Sequence, residues 1–187
     1  MVMGKQEGSL GPEDWAEAAL RALPELGLRG LGVEPLARRI GVTKGSFYWH
    51  YRNRAELLSA MWELWERVGT DQVIAELASL DEPGARLERL MVLALRATDE
   101  VAVERAILGA TAHDAQVAEV YGRVSRRRLA FVVEQFEALG ASHPVDAATS
   151  FYAEYVGVVQ LAELHGDWLD EGAVARRARR AIEASRE

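Results

Sequence analysis

Cysteine is absent from the 187-residue chain, which removes disulfides, thiolate zinc sites, iron–sulfur clusters and a cysteine nucleophile together. Proline is scarce, at 5 residues, and alternation of β-branched residues is nearly missing, so strands are not expected. No stretch approaches roughly 18 uncharged apolar residues, so no transmembrane helix is predicted. The first dozen residues, MVMGKQEGSLGP, lack the apolar run of a secretory signal, and a cytoplasmic location is expected. Low-complexity tracts and internal repeats are also missing.

What is present is apolar mass and charge. Hydrophobic residues make up 49% and charged residues 27%, enough to build a core and keep it in solution. The length fits one domain, or a small one joined to a medium one. The formal net charge is -7, with Lys+Arg 22 against Asp+Glu 29, an average that argues against nucleic-acid binding. The distribution argues otherwise. Residues 33–54 hold Arg38, Arg39, Lys44, Arg52 and Arg54 against a lone Glu34, and basic character returns at Arg176, Arg177, Arg179 and Arg180. A cationic segment on an acidic body can approach phosphates while the remainder repels non-specific contact.

Helical periodicity dominates. Ala, Leu, Glu and Arg supply long stretches of 3.6-residue period, and the fold class predicted is all-α. A first helix is expected from Pro12, which suits a first turn, through Trp15, Ala19, Ala22, Leu23 and Leu26. Pro24 loosens its last turn, and Gly27, Gly30 and Gly32 punctuate a connection. Those glycines read G-x-x-G-x-G with no preceding strand, so a dinucleotide loop is rejected. Glu34–Ile40 then buries Leu36, Ala37 and Ile40, and Gly41-Val42 turns the chain. Thr43 is expected to cap a second short helix through its hydroxyl, ending near His50 or Tyr51. Asn53 and Glu56 suggest a capping box opening a longer helix with Leu57, Leu58, Met61, Trp62, Trp65 and Val68 inward. Two short helices joined by a glycine turn form a helix-turn-helix pattern. After Gly69 the helices expected are 71–79, 83–98, 101–112, 115–139, 144–165 and 171–185. The run Leu87–Leu95, apolar on nearly every side, should lie at the centre of the second domain. The division is set at 1–54 and 55–187.

The stretch Val42–Leu58, VTKGSFYWHYRNRAELL, carries the chemistry. Thr43, Lys44, Gly45 and Ser46 open a helix, where free N–H groups and the positive dipole end favour an anion. Gly45 removes a side chain where a duplex would come close. Phe47 and Tyr51, four residues apart, should face the core while Lys44, Ser46, Tyr48, Trp49 and His50 project elsewhere. Four aromatics within residues 47–51 exceed what one short helix can bury.

Residues 12–58 resemble the N-terminal domain of the TetR family of bacterial transcriptional regulators. The resemblance rests on Leu36-Ala37, Ile40-Gly41-Val42, Thr43-Lys44-Gly45-Ser46-Phe47-Tyr48, His50-Tyr51, and Leu57 four residues after Asn53. It implies an N-terminal three-helix helix-turn-helix domain followed by a helical-bundle effector-binding and dimerisation domain. It further implies that Thr43–Tyr51 enters the major groove, with Tyr48, His50 and Arg54 on phosphates. Arg54 stands where the family usually has Lys, which keeps the charge and changes the geometry. Lys44, Gly45 and Ser46 are the expected base-edge neighbours, Lys44 suiting guanine acceptors. Trp49 faces either a base methyl or a sugar. Arg38 and Arg39 either touch the backbone or the groove edge, or are solvated charge.

The implied function is that of a sequence-specific, dimeric DNA-binding regulator, a repressor released by a small-molecule effector and bound to an inverted-repeat operator. Candidate effector-facing residues are Trp62, Trp65, Arg96, Glu104, Tyr121 and Tyr155. The bland alternatives are internal ion pairs of Arg96 or Arg105 with Glu104 or Glu154, and an ordinary aromatic core including Phe131 and Phe151. His113-Asp114 and His165-x-Asp167 each fall short of three ligands on one face, so no metal or cofactor is expected. Homodimerisation is expected through residues 144–185, where Ala153, Gly157, Gln160 and Leu161 permit close helix approach. A helical-bundle enzyme is the rival class, but no Ser/His/Asp arrangement, H-E-x-x-H or nucleotide loop supports it. A lipid-binding module lacks the long apolar face that surface anchoring needs.

Overall fold

The computed structural model describes residues 10–96, 98–161, 164 and 170–185. Among the described residues, ten α-helices run in the order α1 (Pro12–Gly30), α2 (Val33–Ile40), α3 (Lys44–Tyr48), α4 (Arg54–Glu66), α5 (Gln72–Leu77), α6 (Pro83–Arg96), α7 (Thr98–Ala110), α8 (Ala115–Ala138), α9 (Pro144–Leu161) and α10 (Glu171–Ala184). A π-helical turn, Arg67–Asp71, follows α4. No strand occurs among the described residues. The chain divides into two compact units, Met1–Trp65 and Glu66–Glu187, a later division than the expected 54/55.

In the first unit α1 opens as its sequence dictates. Pro12 occupies the first turn, and the Asp14 carboxylate accepts from the Gly11 N–H at 2.8 Å, with Glu13 and Asp14 at the positive dipole end. The helix breaks at Gly27, where φ is +61°, a left-handed value that favours glycine. One face of α1 buries Trp15, Ala16, Ala19, Ala22 and Leu23. Trp15 meets Phe47 of α3 edge-on, ring centroids 5.3 Å apart, a geometry that aromatic quadrupoles favour. Leu36 and Ala37 of α2 are buried and Ile40 is half-buried. At the start of α4 only half of the expected capping box forms. Asn53 Oδ1 accepts from the Glu56 N–H at 3.1 Å, but the Glu56 carboxylate reaches back one residue further, to the Arg52 N–H at 2.7 Å.

Gly69 does not end the fourth helix. It lies inside the π turn, which carries an extra residue and rotates the helical phase. Leu57, Leu58, Met61, Trp62 and Trp65 are buried as expected, whereas Val68 is 41% exposed. The next inward side chain is Thr70, 1% exposed, five positions after Trp65 rather than three or four.

In the second unit α6 packs against α5, α7, α8, α9 and α10, the central place that its apolar run predicts. Leu87, Met91, Val92 and Leu95 are buried there. Phe131, Phe136, Phe151 and Tyr155 join the same core, as do Val174, Ala178 and Ile182 of α10. The helix ends differ from expectation by a few residues. Helices expected over 83–98 and 101–112 are described as Pro83–Arg96 and Thr98–Ala110, and the expected break at His165-Gly166-Asp167 lies outside the described residues.

Candidate functional site

The turn from α2 into α3 begins at Gly41, whose φ of +74° closes α2 in the left-handed conformation. Thr43 occupies the N-cap position of α3 with extended backbone, but its hydroxyl makes no capping bond. The Ser46 N–H instead donates to the Thr43 carbonyl at 3.1 Å, so the expected hydroxyl cap is corrected to a backbone turn. Gly45 is exposed. A Cβ placed there would meet only Thr43 Oγ1, at 3.6 Å, so the chain's own packing does not demand glycine at this position.

The aromatics split between core and water as the spacing predicts. Phe47 is fully buried and Tyr51 nearly so, while Tyr48 is 56% and Trp49 88% exposed. The Tyr51 hydroxyl donates to the Pro12 carbonyl at 2.7 Å, tying the end of this segment to the start of α1. Burial pushes its phenol pKa up. Tyr48 rests edge-on against Phe47 at 5.2 Å, which leaves its outer edge and the Trp49 ring facing solvent. Ser46 and His50 are half-buried.

The cations of residues 33–54 are mostly engaged within the chain. Lys44 Nζ lies 2.9 Å from Glu34 Oε1. The hydrogen bond and charge of Lys44 hold the Glu34 carboxyl below its ordinary pKa, and Lys44 is raised in return. Arg39 pairs with Glu25 of α1 at 2.6 Å, and Arg52 with Glu56. Arg38 is exposed. Arg54, expected on a phosphate, donates to the Leu31 carbonyl at 2.7 Å and to the Leu28 carbonyl. It satisfies carbonyls at the end of α1 and secures the start of α4 there, a bidentate task that suits arginine.

A second polar constellation lies inside the second unit. Arg128 of α8, 14% exposed by side chain, pairs with Glu104 of α7, 6% exposed, at 2.9 Å. The same guanidinium donates to Thr70 Oγ1 at 2.9 Å and to the Gly69 carbonyl at 3.3 Å, satisfying groups of the π turn. Burial opposes its charge, but the Glu104 carboxylate together with Tyr155 and Tyr152 outweighs this and the Arg128 pKa is raised overall. Tyr121, Tyr152 and Tyr155 surround the pair. The Tyr152 hydroxyl meets Ser125 Oγ at 3.1 Å. Burial, then the nearby Glu104 charge, push the Tyr121 and Tyr155 phenols well above the ordinary tyrosine range.

The structure thus brings together three of the candidate effector-facing residues, Glu104, Tyr121 and Tyr155. Trp62 and Trp65 are buried on α4, Trp62 within the first compact unit and Trp65 at its last residue. Arg96 ends α6, and its side chain lies outside the described residues. An ion pair at Glu104 is borne out in kind, but its partner is Arg128, and Glu154 pairs with Arg177 at 3.5 Å. Arg128 escapes notice in the run Arg126-Arg127-Arg128, which reads as solvated charge. Its phase with Val124, Phe131 and Gln135, all buried on α8, is the signal that marks it as inward. Asp114 is occupied as the N-cap of α8, accepting from the Gln116 and Val117 N–H groups at 3.0 and 3.1 Å. His165 and Asp167 lie outside the described residues.

Comparison with known proteins agrees with this geometry. Residues 16–61 match the sequence model of the bacterial regulatory proteins, tetR family. The chain is 27% identical over 95 residues to the HTH-type transcriptional regulator AcrR of Shigella flexneri, covering 50% of this chain and 44% of that protein. It is 44% identical over 54 residues to the class A tetracycline repressor protein from transposon 1721 of Escherichia coli, covering 29% and 25%. The chain therefore spans less than half the length of either relative. Among solved structures, one described as a transcriptional regulator from Saccharomonospora viridis, in complex with choline, superposes with a TM-score of 0.77 at 16% identity. It covers 92% of this chain and 95% of that one, a likeness of fold. Residues 16–61, with their helix-turn-helix motif and the exposed aromatics beside it, are thus similar to the bacterial regulatory proteins, tetR family, and the fold of the chain is similar to that of the solved structure.

Proposed function

We propose that the chain is a sequence-specific DNA-binding transcriptional repressor that acts as a homodimer on an inverted-repeat operator and is released by a small-molecule effector. The observation that carries this reading is the split on α3 and the residues after it. Phe47 and Tyr51 anchor the segment while Tyr48 and Trp49 stand exposed beside Lys44. Large exposed aromatics next to cations suit the sugar–phosphate edge and groove wall of a duplex better than open water. In this reading Lys44, Gly45 and Ser46 approach base edges, with Thr43, Tyr48, Trp49, His50 and Arg38 around them. Arg54 acts as a positioning residue.

Dimerisation is supported by the outer face of α9. Val145, Thr149, Ala153, Gln160 and Leu161 are exposed there, with Ser150 and the first-turn Asp146 beside them, and a Cβ at Gly157 would meet nothing within 4 Å. A single short recognition helix reads few base pairs, so specificity calls for two half-sites about 34–36 Å apart. The effector is proposed to act on the second unit near Tyr121 and Tyr155, where polar groups gather in an apolar core. The protein is proposed to act in the cytoplasm; no helix among the described residues is long and apolar enough to cross a membrane.

The test is selection of duplexes from a randomised pool by the purified chain at moderate salt. Recovery of an inverted repeat with half-sites one helical turn apart supports the reading, and that duplex then serves as the probe for effectors. Failure of the folded chain to bind any duplex, with or without candidate effectors, overturns it in favour of a helical-bundle enzyme or ligand-binding module.

A further inference from the structure

The ion pair between Lys44 and Glu34 has no obvious structural purpose. Glu34 is in the first turn of α2 and Lys44 opens α3. Their 2.9 Å contact spans the turn between the helices, with side chains 61% and 51% exposed. Exposed pairs of this kind add little to stability, because water screens them and two long side chains must be held still. The other paired cations of the segment lean away from α3, Arg39 towards α1 and Arg52 and Arg54 within or towards α4 and α1. Only Lys44 opens the helix that ends in exposed Tyr48, and only Lys44 has a carboxylate for a neighbour there.

We propose that Glu34 is a specificity-determining residue for duplex DNA, forming with Lys44 a single donor–acceptor reader of a G·C base pair and withholding Lys44 from phosphates. This rests on the duplex-binding reading above. An ammonium has three donors. One is directed to Glu34, leaving two for the N7 and O6 acceptors of a guanine. The carboxylate retains lone pairs that can accept from the N4 amino group of the paired cytosine. A thymine presents its O4 acceptor where that amino group would stand, so the carboxylate meets another acceptor and the same pair is poorly matched to it. Against the phosphate backbone the carboxylate is repelled, and any Lys44–phosphate contact requires breaking the pair first. The acidic member therefore contributes by penalising wrong partners, with the cost falling on non-specific duplex.

The test uses the full chain with Glu34→Gln, Lys44→Ala and the double variant. Each is titrated over a salt series against the duplex recovered by selection and against random duplex. Glu34→Gln is expected to bind random duplex about tenfold more tightly and to steepen its salt dependence by about one counterion, as Lys44 becomes free for phosphate. Its preference for G·C at one position should fall, and the ratio of selected to random affinity should shrink by about tenfold or more. In the Lys44→Ala background, Glu34→Gln should produce no such change. A ratio that stays unchanged in Glu34→Gln overturns the proposal, as does an equal gain with or without Lys44, which would mark Glu34 as one charge among many. A wild-type chain that selects no duplex overturns the function reading and this inference with it. A selective wild type whose ratio ignores Glu34 overturns this inference alone.

Discussion

Lys44 and Glu34 stand 2.9 Å apart in water, and Arg128 and Glu104 stand 2.9 Å apart inside the second unit. The distances agree and the consequences do not. In the first pair both charges keep most of their hydration, so either can leave for another partner. In the second, burial removes water from both, and each charge is tolerated because the other is there. Arg128 also holds Thr70 and Gly69, so that pair is part of the scaffold. The contrast shows that proximity alone does not tell a structural charge from a functional one. Solvent access does.

The largest effect that would test this contrast is on stability. Arg128→Ala strands the Glu104 carboxylate and Glu104→Ala strands the guanidinium, and each should cost about 3–5 kcal/mol in urea unfolding of the full chain. Glu34→Gln and Lys44→Ala should leave the same transition in place, and a comparable loss from either would erase the distinction. Next in size is Arg54→Lys. An ammonium on a flexible stem replaces a fork that serves two carbonyls, and the loss should be about 1–3 kcal/mol. An unchanged midpoint with weakened duplex binding would return Arg54 to the phosphates.

A smaller effect concerns pH. The Tyr121 and Tyr155 phenols titrate above their ordinary value of about 10. A raised folded value means that folding favours the protonated phenol. The contribution is intact below about pH 10 and is lost as pH rises beyond it. Tyr155→Phe should therefore flatten the alkaline limb of a stability profile, and an unaltered limb would remove the phenol as its cause. The smallest stability effect belongs to Trp49→Ala, within about 0.5 kcal/mol because the ring is exposed. The same change should weaken duplex binding about tenfold or more, as the loss of an interfacial aromatic does. A stability loss larger than the binding loss would make Trp49 a structural residue.

The first unit is legible in the sequence where its determinants are local. Phe47 and Tyr51 declare themselves inward by spacing, and Tyr48 and Trp49 outward by surplus. Gly41 and Pro12 mark a turn and a helix start. What could not be read depends on residues distant along the chain. The partners of Arg54 are the carbonyls of Leu28 and Leu31, and nothing at residue 54 announces them. Thr43 looks like a hydroxyl cap, yet a backbone turn already supplies the bond. Glu56 forms the expected kind of contact one residue away from the expected donor. In the second unit the charged interruptions were visible as costly, and pairing followed from that cost. Which arginine supplied the pair depended on how α7 and α8 pack, and periodicity within one helix does not contain that information.

The turn Arg67–Asp71 also has a bearing on alignment. A π turn holds one residue more than an ordinary helical turn, so the side chains before and after it differ in phase. Numbering by helical position is continuous up to Glu66 and continuous again from Gln72, with a slip of one place between them. Relatives that lack the extra residue should wind through this stretch as plain helix, and an alignment that forbids a gap here would misassign every inward position that follows.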